Sequence, residues 1–290
     1  MRARRAASRP SGRPRDRRAP RLGHDARRWV ARAATVSAAL LGLGCKADRP
    51  RPEGAATSEA PADPEAIPEL RVKRAEVAPT IDGKLDEPMW REANVTRGFV
   101  NVRTGLPDAR LPTGGTARVL YDAAFFYVGI EARDATVRGG WPEGARDPHL
   151  WERDTVEIMI DPEGDGDNLD YYEIQINPQN LVFDTHYDGY NRPNGGGKGP
   201  FGHEAWSAEL VSAVVVKGTL DDDSDRDEGY TVEAKIPLAK ISGKGGPATK
   251  GTVWRVNFYA MQDNGGAAWS PILGKGNFHR ASRFGRLVFE

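Results

Sequence analysis

Between Leu70 and Glu290 large apolar residues recur at every second position in short runs, and clusters of Gly, Pro, Asp and Asn interrupt those runs. A period of two puts successive side chains on opposite faces of an extended chain, so each run reads as a strand with one buried face. The runs fall at about 71–76, 116–121, 125–133, 154–161, 170–178, 181–187, 208–217, 230–237, 252–261 and 284–289. Helix signals are confined to "DEPMWREA", opened by an Asp and a Pro, and to a short turn at "PLAKI". About ten strands without long helices between them argue against strand–helix–strand units and predict an all-β fold, an antiparallel β-sandwich of about ten strands. The Gly-rich "NRPNGGGKGP" and the "FGHEAWSAEL" after it read as a loop inside this domain, because the later strands are needed to complete the sheets.

The 290-residue chain has 41 basic and 41 acidic residues, but the balance is uneven along it. Residues 1–44 carry 12 arginines and two aspartates, which leaves 29 basic and 39 acidic residues from Cys45 onward. An acidic domain lacks the clustered cations that nucleic-acid binding requires, so no nucleic-acid partner is expected. The arginine-rich head ends at Arg32, and Ala33 to Gly44 is a small apolar run without charge. Such a run is too short to span a bilayer and fits the apolar stretch of a signal peptide behind a positive flank. Cys45, the only cysteine, excludes an intrachain disulfide and follows "ALLGLG". That junction resembles a bacterial lipobox, with Gly42 where a leucine is usual, and predicts lipidation at Cys45. An ordinary signal peptide cut nearby and a twin-arginine signal at Arg27–Arg28 are the other readings. Residues 45–69 are rich in Pro, Ala, Glu and Asp and read as a flexible tether. The expected organisation is an export segment over 1–44, a tether over 45–69 and a folded domain over 70–290, exported and held at a membrane through its lipid.

The strand faces carry the functional signal. In "TVEIMI" Val156, Ile158 and Ile160 share a face opposite Thr155, Glu157 and Met159. In "YYEIQIN" Tyr172, Ile174 and Ile176 oppose Tyr171, Glu173, Gln175 and Asn177. Trp254, Val256 and Phe258 likewise alternate with Arg255, Asn257 and Tyr259. The apolar sets predict the core, and Trp90, Trp206 and Trp254 read as structural. The opposite sets hold forked hydrogen-bonding ends, which suit vicinal hydroxyls of a sugar ring; a merely solvated sheet face has the same alternation.

Six segments appear in order: "APTIDGKLDEPMWREA", "ARVLYDAAFFYVGIEARD", "LWERDTVEIMIDPEGDG", "YYEIQINPQNLVFD", "GYTVEAKIPLAKI" and "FHRASRFGRLVF". Together they resemble carbohydrate-binding module family 9 over essentially Leu70 to Glu290. The resemblance implies a β-sandwich that binds polysaccharide or oligosaccharide without cleaving it, often with bound calcium, in the company of glycan-processing enzymes. It implies that Trp151 stacks on a sugar and Glu157 bonds its hydroxyls. It places Gln175 where sugar-binding members carry Arg, keeps Asn177, and puts Phe278 where they carry a second Trp, with His279 beside it. Those two exchanges leave open a fold that has lost its sugar site and serves protein interaction.

The loop "DPEGDGDNLDYYE" sets Asp161, Glu163, Asp165 and Asp167 at alternate positions with Gly166 between, much as a calcium loop does, although Tyr172 stands where a closing Glu is required. Asp161, Asp165 and Asp167 are therefore candidate calcium ligands, and a hydrophilic hairpin turn is the competing reading. "DDDSDRDEG" reads as a solvated turn. Two further readings are a glycoside hydrolase using Glu157 and Glu173, and a haem-binding relative with Met159, His186 or His279 as axial ligands.

Overall fold

The computed structural model describes residues 63–189, 202–274 and 277–290. The export segment, Cys45 and most of the tether lie outside these residues. Pro64 and Glu65, from the predicted tether, are held by the domain: Arg283 donates to their carbonyls at 3.2 and 2.8 Å.

The strands are β1 (Glu69–Arg74), β2 (Val100–Asn101), β3 (Thr113–Tyr121), β4 (Phe125–Asp134), β5 (Thr155–Asp161), β6 (Tyr171–Ile176), β7 (Val182–Tyr187), β8 (Val211–Lys217), β9 (Gly229–Pro237), β10 (Val253–Gln262), β11 (Gly265–Ala268) and β12 (Gly285–Phe289). Two short helices, α1 (Pro88–Glu92) and α2 (Leu238–Ile241), stand at the predicted places. All ten predicted runs are strands; β2 and β11 are additional.

The predicted sandwich needs correction. The strands form one continuous curled sheet in the order β7-β6-β5-β10-β12-β1-β3-β4-β9-β8, with β11 and β2 attached beside β10. The link is β1, whose residues 69–72 pair with β12 and whose Lys73 and Arg74 pair with β3. Both pairings are parallel, whereas the other strand pairs are antiparallel. One strand that changes neighbour half-way along its length joins what would otherwise be two sheets.

Inward-facing residues of both arms of this curl share one core, with Ile158, Ile174 and Phe258 from one arm and Val128, Ile130 and Val232 from the other. Each fully buried aliphatic side chain there contributes about 1.5–3 kcal/mol. Trp90 and Trp254 are buried as predicted. Trp90 donates its indole N–H to Glu233 at 2.8 Å, and the second Glu233 oxygen accepts from the Asp82 and Gly83 amides. That carboxylate fastens the "IDGKLDEPMW" segment to β9. Gly83 is required in it: its φ is +84°, and a Cβ would meet Val215 Cγ2 at 2.9 Å.

Candidate functional site

Period two holds along β5, β6, β7 and β10, so Glu157, Glu173, Gln175, Tyr187 and Tyr259 share the outer face of one arm. Register makes them neighbours: Glu157 lies opposite Gln175 on one side and Tyr259 on the other. This face is not solvated. Every residue of β5 and β6 is buried, because Met159, Tyr171, Tyr187, Tyr259, Met261 and Phe284 form a second apolar cluster on the outer side. Within that covering a cavity of about 200 Å³ remains, lined by Arg103, Trp151, Glu157, Glu173, Gln175, Tyr187, Met261, Asn264, Asn277, Phe278 and His279.

The polar floor is compact. The Gln175 side-chain amide donates to Glu157 Oε2 at 3.2 Å and to Glu173 Oε1 at 2.6 Å. Glu173 Oε2 accepts from the Tyr187 hydroxyl at 2.8 Å and lies 3.6 Å from His279 Nε2. Glu157 and Glu173 are only 2% and 3% exposed. Burial lifts Glu173 to about 7 against the opposing effect of its bonds to Tyr187 and Gln175. Burial, and then the Glu173 charge, hold Glu157 well above the ordinary carboxylate range. Two carboxyls this close in a dry site share a proton near neutrality. His279 is lowered to about 3 by burial and stands as neutral imidazole, with Nδ1 at 2.9 Å from the Tyr171 hydroxyl.

The walls are aromatic. Trp151 sits on a single 3₁₀ turn, Leu150–Glu152, directly before β5. His149 stacks on it at 4.3 Å, Phe183 meets it edge-on at 5.1 Å, and its carbonyl accepts from the Asn264 amide. Phe278 stacks on Tyr259 at 5.1 Å, and the Tyr259 hydroxyl donates to its carbonyl at 2.9 Å. Both rings are half-buried.

Trp151, Glu157, Gln175 and Phe278, four of the residues nominated for sugar contact, thus meet at one cavity. Asn177 does not reach it. It is fully buried in the β6–β7 turn, where its side-chain oxygen accepts from the Gln179 and Leu181 amides. Tyr187 and His279 join the site through sheet register and through the segment before β12. Arg103, Asn264 and Asn277 come from loops without periodicity and carried no signal in the sequence.

The acidic loop is a hydrogen-bonded turn. Both Asp161 oxygens accept backbone amides, from Gly164 and Gly166, each at 2.9 Å. Asp165 and Asp167 accept the amides two residues on. The "DDDSDRDEG" turn is likewise less solvated than predicted: Asp227 is buried and accepts from the Val137 and Thr219 amides. Among the described residues the metal-capable atoms that converge within 4.8 Å belong to His186, Asp188 and His203, a nitrogen-rich set foreign to calcium. A hard-oxygen set lies elsewhere. Asp134 and Asp154 are each 1% exposed, and one oxygen of each, Oδ2 and Oδ1 respectively, is buried without a hydrogen-bond partner. Burial and then the Asp154 charge raise Asp134 to about 7; burial raises Asp154 to about 6. Buried carboxylate oxygens without a partner are what calcium satisfies, so these two residues are candidates for the ion that the family resemblance implies.

A family model described as "Carbohydrate family 9 binding domain-like" matches residues 81–290. The chain belongs to this family. Among solved structures it is similar to a family 9 carbohydrate-binding module from Caldicellulosiruptor kristjanssonii in complex with glucose, at 18% identity and a TM-score of 0.51, covering 77% of this chain and 95% of that one. It is also similar to a candidate carbohydrate-binding protein from Bacteroides uniformis ATCC 8492, at 18% identity and a TM-score of 0.57, covering 78% of this chain and all of that one. Both likenesses concern the fold. Among curated proteins none matches the sequence.

Proposed function

We propose that this domain binds one sugar unit of an oligosaccharide or polysaccharide in the outer-face cavity, without cleaving it. The observation that carries this reading is a floor of buried, forked polar groups, Glu157, Gln175 and Glu173, framed by the half-buried rings of Trp151 and Phe278. Aromatic faces take the C–H faces of a pyranose, and the forked groups take its hydroxyls. The cavity of about 200 Å³ is smaller than the roughly 300 Å³ at which sites for drug-sized ligands begin, so it suits one ring. The glucose held by the Caldicellulosiruptor relative supports the same class of ligand.

Binding is favoured over hydrolysis by the position of the carboxyls. Glycoside cleavage needs two carboxyls flanking the scissile bond. Glu157 and Glu173 instead share one amide donor on the same sheet face, on one side of any ligand.

The full proposal includes an exported chain, lipidated at Cys45, presenting the domain to surface glycans and to enzymes that process them; its support is the sequence of residues 1–69. It also includes calcium held by Asp134 and Asp154. The ion would supply fixed positive charge there and would brace the turn from Trp151 to β5, because Asp154 Oδ2 accepts the Arg138 amide at 2.6 Å. Millimolar calcium should raise the melting temperature of the wild type but not of Asp154→Asn; an unchanged wild type would retire the ion.

The sugar reading is tested by calorimetric titration with glucose and cello-oligosaccharides, wild type beside Trp151→Ala. Losing the stacked ring should cost about 1–3 kcal/mol of binding. Absence of binding to every glycan tried would favour a fold kept for protein interaction.

A further inference from the structure

The cavity floor is rich in acceptors and short of positive charge. Glu157 Oε1 and Gln175 Oε1 are both buried and have no hydrogen-bond partner. The Gln175 amide nitrogen is committed to the two carboxylates, so its oxygen is left as an acceptor. Among the described residues no lysine or arginine nitrogen comes within 4.0 Å of Glu157 or Glu173. The groups facing the pair from the surrounding elements are Tyr187, Tyr259 and His279, all uncharged near neutrality. Arg103 lines the cavity but is an exposed loop residue. A buried carboxylate pair without a cation is costly, and the cost falls sharply when one partner of opposite charge enters.

We infer that the preferred ligand is an amino sugar, a pyranose whose ammonium group sits on the Glu157–Gln175–Glu173 floor while its ring lies between Trp151 and Phe278. This rests on the sugar-site reading and narrows it to a cationic class of glycan, such as a deacetylated hexosamine polymer. An ammonium brings three N–H donors and no acceptor, which matches the floor once the shared proton has left and its open valences, Glu157 Oε1 and Gln175 Oε1, are acceptors. A neutral sugar can offer hydroxyl donors but leaves the charge uncompensated. On entry the ammonium displaces the proton that the two carboxyls otherwise share, so below the pH at which the sugar's own ammonium deprotonates binding releases a proton and strengthens as pH rises toward the range where Glu173 titrates.

The test is calorimetry of the full chain with glucosamine, N-acetylglucosamine, glucose and putrescine, in two buffers of different ionisation enthalpy. The expected result is glucosamine binding at least about tenfold tighter than glucose or N-acetylglucosamine, with proton release for glucosamine alone. Putrescine, a diammonium chain without a ring, should bind no better than glucose. In Glu157→Gln and Glu173→Gln the glucosamine-to-glucose ratio should fall to within about twofold, whatever the absolute affinities. Should either variant fail to fold, the wild-type ratio and its proton release decide alone. Glucose and N-acetylglucosamine binding as tightly as glucosamine would overturn the inference and leave the sugar site standing. Putrescine matching glucosamine would overturn the amino-sugar assignment by removing the need for the ring. No binding of any of the three sugars would overturn both.

Discussion

The two arms of the curled sheet carry the same sequence rhythm, and their outward faces are covered to different extents. On the arm built from β3, β4, β8 and β9, Trp90 and Tyr127 cover the outward Glu233, but farther along β4 Glu131 and Arg133 are exposed, and Glu131 pairs at the surface with Arg118 at 2.7 Å. On the arm built from β5, β6, β7 and β10, Glu157 and Glu173 occupy equivalent outward positions yet are almost wholly buried. The difference comes from what lies on top: Trp151, Phe278, His279 and the tyrosines of the second apolar cluster cover one face and leave a cavity in it. Alternation therefore tells which side chains face outward, and covering loops decide whether outward means water or an enclosed cavity.

This contrast predicts a graded set of effects. The largest belongs to the shared core: Ile158→Ala should cost about 2–5 kcal/mol of stability in chemical denaturation, since Ile158 is fully buried between the arms. Next comes a pH effect from the carboxyl pair of the covered arm. Glu157 and Glu173 have folded values raised above their unfolded ones, so the folded state holds these protons more tightly and the pair's contribution to stability is fully present below about pH 4. That contribution is lost as pH rises through about 7, where Glu173 titrates. The loss should amount to about 3 kcal/mol and should shrink in Glu157→Gln, read from denaturation midpoints between pH 5 and 8. The smallest effect belongs to the open arm: Glu131→Gln should change stability by no more than about 0.5 kcal/mol, as exposed ion pairs contribute little. An Glu131→Gln effect as large as that of Glu157→Gln would break the comparison.

Much of this was legible in the sequence, because alternation is local. The ten longer strands each announce themselves by five or more residues of pattern, whereas β2 is "VN" and β11 is "GGAA", which alternate nothing. The parallel joins of β1 depend on which distant strands it meets, and no local signal encodes that. Motif and face together nominated Trp151, Glu157, Gln175 and Phe278, which the fold brings to one cavity. Asn177 was placed on the correct face, but β6 ends at Ile176 and the side chain serves the turn instead. The orphaned oxygens of Asp134 and Asp154 were hidden because an acidic loop, "DPEGDGD", looked more like a metal site than two isolated aspartates at strand ends.

The most direct test of the sugar site is an NMR titration of the isotopically labelled full chain with glucose, following side-chain amide and indole N–H signals. The account predicts that the Gln175 side-chain amide and the Trp151 indole shift first, while the core indoles of Trp90 and Trp254 stay in place. Shifts confined to the open arm, or none at saturating sugar, would contradict it.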